Sequence, residues 1–421
     1  MKMKKFTGMM LSVVLASLPF IAVQGAAAAP DEQKKSRFDV KKAMSKPYEA
    51  GGILVKMKED VVVTQSLVSQ EEVSTMSAES SLGLTYIKLK DPKKLEKMLE
   101  RLNADPNVLY AEPNYVYQLE TPLAGAELPA QIAVAYNDPY VSNQWGLSAI
   151  KAPQAMDLVS SSRLAGVTVA VVDTGVNLSH SDLQGSIVAG YDFVNGDSNA
   201  NDDNGHGTHV AGIAAGIGNN GRGIAGVASG AKIMPIKVLN ASGSGTSYAI
   251  VSGMRYAADR GADVLNLSLG SSSACSSAYQ DAINYVRSRG AVVVAASGNS
   301  NTAIGSPASC SGTISVGSID SSMTRSSFSN YGSTLDVTAP GGSIFSTYPT
   351  NTYRSLSGTS MATPHVAGVV ALMLAADSSL TPNQVESLLR QSATDAGSAG
   401  YDAYYGAGIV NAQKAVQYAL Q

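Results

Sequence analysis

Residues 167–173 read Val-Thr-Val-Ala-Val-Val-Asp and run straight into Thr174-Gly175. A nearly unbroken β-branched run that ends on a carboxylate and a glycine has the character of a strand buried on both faces, not of one that alternates between core and water. The same pattern recurs in KIMPIKVL (232–239), ADVLNLSL (262–269) and AVVVAAS (291–297), with helical patterns at 206–217, 247–260 and 277–289 between them. Parallel neighbours need a crossover of about a dozen residues or more, and these helices supply it. TISVGSI and LDVTAP add two strands before a long helix from about Thr359 to Ala375, and shorter helices follow near 382–392 and 411–419. The expected fold class is α/β, a three-layer sandwich with a mostly parallel central sheet. In such a fold the carboxyl edge of the strands is where a site belongs.

Several polar residues fall at that edge. Asp173 ends its strand, and His206 opens a helix inside NGHGTHVAG between Gly205 and Gly207. Ser360 opens the long helix behind Gly358 in GTSMATPH, beside the unpaired N–H groups of a first turn. Pro364 is read in that first turn or its margin, where a missing N–H costs little. Asn299 follows directly after a strand in AASGNS. Acyl transfer through a serine needs an imidazole to take its proton, a buried carboxylate to hold the imidazole, and donors for the oxyanion. His206, Asp173 and Asn299 supply one of each for Ser360, whose own N–H is a second donor. His365 is not the base: it sits about 7.5 Å further along the same helix and faces elsewhere. It is read as a packing histidine. His206 and His209, even with His180 and Asp182, do not form a zinc helix, since their spacing is three instead of four and no glutamate stands between them. His209 is assigned to the ground behind the site and His180 to the turn after the first strand.

The rest of the chain is of other material. Of 421 residues 44% are apolar, and the net charge of -3 gives no reason to expect nucleic acid as a partner. Charge is uneven: residues 31–120 hold 14 Lys/Arg and 15 Asp/Glu, whereas the far longer 121–421 holds 13 and 18. Residues 1–29 show Lys2, Lys4 and Lys5, an apolar run and then small residues, the order of a secretory signal. A membrane anchor is the competing reading, but Ser12, Ser17 and Pro19 interrupt a short run. No later segment is read as a span, so an exported protein without a membrane anchor is expected. Residues 30–120 form a small α+β unit with its core at about 51–117. GGILVKM and LGLTYIKL are read as strands, the stretch that starts behind Asp91-Pro92 and stops before Asp105-Pro106 as a helix, and NVLYAEPNYVYQL as strand material broken by Pro113. Such a small core needs something larger to lean on. Residues 121–136, rich in alanine and proline, read as a nickable linker before a large unit at 137–421. The order suggests a pro-enzyme cut between about Leu119 and Tyr136. Cys275 and Cys310 both lie just beyond strand-like runs, and the residues leave open one bridge or two buried thiols.

HGTHVAG, NLSLG, AASGN and GTSMATPHVAG, with Asp, His and Ser in that order, resemble the subtilisin family of serine proteases. The resemblance covers essentially all of 137–421, and 51–117 resembles the family's inhibitory propeptide. It implies a serine endopeptidase, made as an autoprocessed precursor, secreted and monomeric, whose own propeptide is chaperone and inhibitor. Asp173 would orient, His206 would be base then acid, Ser360 the nucleophile, and Asn299 would complete the oxyanion hole. The family pattern puts one pocket wall at Ser268-Leu269-Gly270, the other at Ala296-Ser297-Gly298, and Gly305 near the base. Ser271 departs from a glycine found there in other members. No acid stands in these stretches, so broad cleavage after large apolar or aromatic residues is expected. The oxygen-rich loop with Asp192, Asn195, Asp197, Asn199 and Asn201 resembles a family calcium loop, with Asn195 in place of an acid. A second calcium set joins Asp138, Asp182 and Asn220 to carbonyls of Gly218, Arg222 and Ile224. The competing functions are a catalytically inactive binding protein of the same fold, and a hydrolase acting mainly on esters. The latter's usual Gly-x-Ser-x-Gly elbow is absent around Ser360.

Overall fold

A computed structural model describes residues 38–59, 61–64, 67–119 and 136–421, and the backbone of 123–124. The leader assigned to 1–29 and most of the linker lie outside the described residues. In chain order the charged segment forms α1 (Val40–Ala43), β1 (Tyr48–Met57), β2 (Val73–Glu79), β3 (Leu84–Leu89), α2 (Leu95–Ala104) and β4 (Val108–Gln118), with β5 at Leu123–Ala124. Three short helices, α3 (Trp145–Ala149), α4 (Ala152–Met156) and α5 (Ser161–Leu164), lead to β6 (Thr168–Asp173) and β7 (Tyr191–Asp192). There follow α6 (His206–Ala215), β8 (Lys232–Lys237), β9 (Ser244–Thr246), α7 (Ser247–Asp259), β10 (Val264–Leu267), α8 (Ser277–Ser288) and β11 (Val292–Ala296). The last elements are β12 (Thr313–Ile319), β13 (Val337–Pro340), β14 (Ile344–Tyr348), β15 (Thr352–Ser357), α9 (Thr359–Ala376), α10 (Pro382–Ser392) and α11 (Ala412–Ala419).

The opening run becomes β6, inside a seven-stranded sheet of order β13-β12-β11-β10-β6-β8-β7. Every pairing in it is parallel. Both faces of β6 are buried, which is why its residues do not alternate. Val169 and Val171 pack into one core with α6 and α9, and Ala170 and Val172 into another with α7 and α8. The three-layer α/β sandwich is therefore as expected. All 18 residues of α9 are buried, which explains a helix that is apolar all round. Among the described residues α9 alone is long and apolar enough to cross a membrane, and its burial in the protein core accounts for that composition. The expectation that no later segment reaches that length was too narrow.

The charged segment shares a sheet with the large unit: the order is β2-β3-β1-β4-β9. Leu54, Leu84, Tyr115 and Tyr117 join the same core as Leu265, Tyr279 and Ile250. Two of its side chains sit on helix starts that would otherwise leave N–H groups unpaired. Asn114 Oδ1 accepts from Tyr248 N at 2.9 Å, and Glu112 accepts from Ser277 N and Ala278 N at 3.2 and 3.3 Å. Lys56 and Tyr110 both meet Asp281 at 2.8 Å.

Two readings need correcting. Pro113 does not break its strand: β4 is continuous, with Pro113 opposite Ile53. Its partner on the other side, β9, begins only opposite Val116, so at Pro113 β4 is an edge strand and loses no ladder bond. The antiparallel hairpin β14–β15 was missed altogether. Its sequence, STYPTNTYRSLS, is polar, and its turn has Thr350 and Asn351 at positive φ without a glycine to announce it.

Candidate active site

The carboxyl edge of β6 carries Asp173, fully buried. Its Oδ1 accepts from Thr174 N at 2.7 Å and meets His206 Nδ1 at 2.8 Å. When Nδ1–H is donated to the carboxylate, Nε2 becomes the acceptor end of the ring. Nε2 is buried without a hydrogen-bond partner among the described residues. Gly207 lets this happen: a Cβ there would stand 2.0 Å from the Gly175 carbonyl, so only glycine allows α6 to start against the end of β6. Asp202, buried and unremarked in the sequence reading, fixes the approach. Its carboxylate accepts from Thr174 Oγ1, Gly205 N, Thr208 N and Thr208 Oγ1 at 2.8, 2.9, 2.9 and 2.5 Å. An aspartate just ahead of a helix is the signal that marks such a residue.

Ser360 lies in the first turn of α9, behind the N-cap Gly358, which has no side chain to cap the helix. Its hydroxyl donates to the Ser268 carbonyl at 3.1 Å, so in this state it is not engaged with His206. Catalytic hydrogen bonds often tighten only when substrate binds. Pro364 is inside the helix, not at its margin. A proline there costs about 3 kcal/mol in an ordinary helix, because the carbonyl four residues back loses its donor. That carbonyl is Ser360's, and Ser268 Oγ donates to it at 2.8 Å. Asn299 is oriented by a neighbour the sequence reading also missed. Its Oδ1 accepts from Thr359 N at 2.8 Å and Thr359 Oγ1 at 2.9 Å, so the amide oxygen is committed to the helix start.

The other histidines are packed, as read. His365 Nδ1 meets the Met361 carbonyl at 2.8 Å, and burial pushes its pKa down to about 4. His209 Nε2 meets the Arg354 carbonyl at 2.9 Å, and burial lowers its pKa to about 3. His180 follows β6, with Nε2 3.1 Å from the Thr352 carbonyl, and burial lowers its pKa too.

Beside Ser360 a pocket is lined by Leu269, Gly270, Ser271, Ala296, Ser297, Gly298, Asn299, Gly305, Ser306, Thr359 and Ser360. Ser268 is absent from that lining; its buried side chain is turned to Ser360. Gly305 has no room for a side chain, since a Cβ would lie 1.7 Å from the Ser271 carbonyl. Ser271 N donates to the Ser306 carbonyl at 2.9 Å, tying the two rims together. Cys275 and Cys310 form a disulfide across the same rims, with Cα atoms 5.1 Å apart.

The two cation sets differ in how well they fit. Asp138 and Asp182 are 5% and 0% exposed, and both carboxylates reach the 218–224 loop. Asp138 accepts from Asn219 N and Asn220 N at 2.6 and 3.0 Å; Asp182 accepts from Asn220 Nδ2 and Ile224 N at 3.1 and 2.9 Å. A Cβ on Gly223 would stand 2.0 Å from Asp182 Oδ2. The carbonyls of Gly218, Arg222 and Ile224 accept no backbone hydrogen bond among the described residues. Buried carboxylates with spare carbonyl oxygens fit a hard cation. In the other loop, Asp192 already accepts from Val194 N, Asn195 N and Asn195 Nδ2 at 2.7, 3.0 and 2.9 Å. Asp197 accepts from Asn199 N at 2.8 Å, and Asn201 is held by Leu178 N at 3.2 Å, away from that turn. This loop fits less well, because Asn195, Asp197, Asn199 and Asn201 are exposed to solvent, unlike the buried Asp138 and Asp182.

An imidazole fixed by a buried carboxylate, on a chain that also presents a serine at a helix start beside a pocket, is the equipment of acyl transfer and defines the class of serine hydrolases. Residues 165–408 match the subtilase family, peptidase S8, and the chain belongs to that family. Residues 34–114 match the fervidolysin N-terminal prodomain. Thermitase of Thermoactinomyces vulgaris is 51% identical over 67% of this chain and 99% of its own. A thermophilic serine proteinase of Bacillus sp. strain AK1 is 36% identical over 99% of this chain and 100% of its own. Among solved structures, fervidolysin of Fervidobacterium pennivorans, a keratinolytic enzyme related to subtilisin, superposes with a TM-score of 0.77 at 29% identity. The match covers 88% of this chain and 61% of that one. The chain is thus a subtilase serine peptidase preceded by a prodomain.

Proposed function

We propose that the chain is the precursor of a secreted, monomeric serine endopeptidase that cuts off its own prodomain. His206 Nε2 takes the Ser360 Oγ proton as that oxygen attacks the substrate carbonyl carbon, and Asp173 holds the ring in the required tautomer. The carbonyl electron pair moves to oxygen, which receives hydrogen bonds from the Asn299 amide and the Ser360 N–H. His206 then passes its proton to the leaving nitrogen as the C–N bond breaks, and water repeats the sequence on the acyl-enzyme.

One observation carries the proposal: the protein's own N-terminal chain pairs at two places next to the site, with the pocket residue Gly270 and with the strand that leads into Ser360. At the first, Val116, Tyr117 and Gln118 pair antiparallel with Thr246, Gly245 and Ser244, Gln118 also pairs with Gly270, and Leu119 N donates to the Gly243 carbonyl at 2.8 Å. At the second, β5 pairs through Leu123 and Ala124 with Ser357 and Leu356, just ahead of Ser360. A chain held by strand addition at two places next to a nucleophile is disposed as a substrate. The cut is accordingly assigned between Leu119 and Leu123, inside the wider window read from the sequence. The pocket of small residues without an acid supports broad cleavage after large apolar or aromatic residues. The Asp138–Asp182–Asn220 set supports calcium as a structural ion; the loop of Asp192 is a weaker second site. A leader-like N-terminus and a disulfide support secretion. An inactive binding protein has no use for so complete a set of reacting groups, and ester cleavage is expected as a side activity of the same machinery.

The test is casein hydrolysis by the mature wild type, with and without a sulfonyl fluoride, beside Ser360→Ala and His206→Ala. Activity confined to the untreated wild type is the expected result. Full activity in Ser360→Ala would overturn the assignment.

A further inference from the structure

We propose that Ser268 is a positioning residue for the nucleophile, its hydroxyl replacing the backbone donor that Pro364 lacks. The inference rests on Ser360 being the nucleophile. In an α-helix the N–H of residue 364 would bond the carbonyl of residue 360; proline has no N–H. Ser268 Oγ, fully buried, donates to that carbonyl at 2.8 Å. Asn266 Nδ2 donates to the same hydroxyl at 2.9 Å, which occupies a lone pair and leaves the hydroxyl proton for Ser360. In return Ser360 Oγ donates to the Ser268 carbonyl at 3.1 Å.

The start of α9 is capped by a side chain from outside the helix, Asn299 on Thr359 N, and the Ser360 carbonyl lacks the donor four residues on that Pro364 cannot supply. The peptide that follows Ser360 is therefore oriented from outside the helix, by the residue just beyond β10. The peptide plane sets ψ at Ser360, and with it the direction of Cα–Cβ relative to the sheet edge that carries Asp173 and His206. A proline within the nucleophile's own helix, a liability in isolation, transfers control of that serine from the helix to the sheet.

The experiment is a cycle of Ser268→Ala, Pro364→Ala and the double variant, made as full-length chains. Each is followed by the rate of self-processing, and by kcat and KM on a small peptide substrate once mature. In Ser268→Ala the nucleophile is misaligned, so kcat falls about 10- to 100-fold with KM nearly unchanged, and processing slows in step. Pro364→Ala alone stays within about 3-fold of wild type, because a carbonyl accepts two donors. The double variant regains most of the lost kcat, since the backbone N–H restored by Pro364→Ala now reaches the Ser360 carbonyl. Ser268→Thr, which keeps the hydroxyl, holds the result open if the alanine variant folds poorly, and retains kcat within about 3-fold. Wild-type kcat in Ser268→Ala overturns the proposal, as does a double variant no faster than Ser268→Ala. Loss of all activity in Ser268→Thr, with normal folding, overturns it too. Failure of the nucleophile reading itself would show separately, as activity in Ser360→Ala.

Discussion

Thr359 decides which end of Asn299 faces the site, because its N–H and hydroxyl both bond the amide oxygen. Asn299→Ala is expected to lower kcat by about 10²- to 10³-fold with little change in KM, the range known for subtilisin's own oxyanion asparagine and carried over from there. Single-turnover kinetics on an activated ester would check it. His365 makes a prediction of opposite character, on stability. Its pKa of about 4 in the fold lies below the ordinary 6.5, so the unfolded chain binds the proton more readily. Its contribution to stability is present above pH 6.5 and is lost as pH falls toward 4. Urea unfolding of His365→Gln should show a shallower acid decline than the parent across that window. At this scale the positions of Asp173 at a strand end, of His206 and Ser360 at helix starts and of Asn299 just beyond a strand were legible in the sequence. Ser268, Thr359 and Asp202 were not read in these roles. Their work depends on partners set by the fold, and for Ser268 that partner is far along the chain.

Among elements, the strands and helices of the large sheet were legible because burial on both faces leaves continuous apolar runs. The hairpin β14–β15 and the unbroken β4 were not, since a polar hairpin and an edge proline carry little local signal. The middle of β4 nevertheless bears on regulation, because Glu112 there is buried against the start of α8. Burial raises its pKa from 4.5 to about 7. A raised carboxyl favours the docked state below pH 4.5, and that advantage is lost as pH rises through 7. Uncut Ser360→Ala precursor should therefore lose stability relative to Ser360→Ala/Glu112→Gln between pH 4.5 and 7.5. Thermal melts of the two chains across that range, if parallel, would dismiss this role for Glu112.

For the whole molecule, the sequence separated a charged N-terminal unit from a charge-poor one, but not how the two would join. They share a sheet, a core and two helix starts. The 218–224 loop ties residues just after the linker to the turn beyond β6, through Asp138 and Asp182. Excess chelator should lower Tm by several degrees, and calcium should restore it; Asp182→Asn should remove most of the response. If Ser360 cuts its own chain between Leu119 and Leu123, the mass of the N-terminal fragment released during maturation shows it. The last residue of that fragment should fall at 119–122, and purified Ser360→Ala should release no such fragment. Release of the same fragment by isolated Ser360→Ala, or a first cut well beyond Leu123 in the wild type, would contradict it.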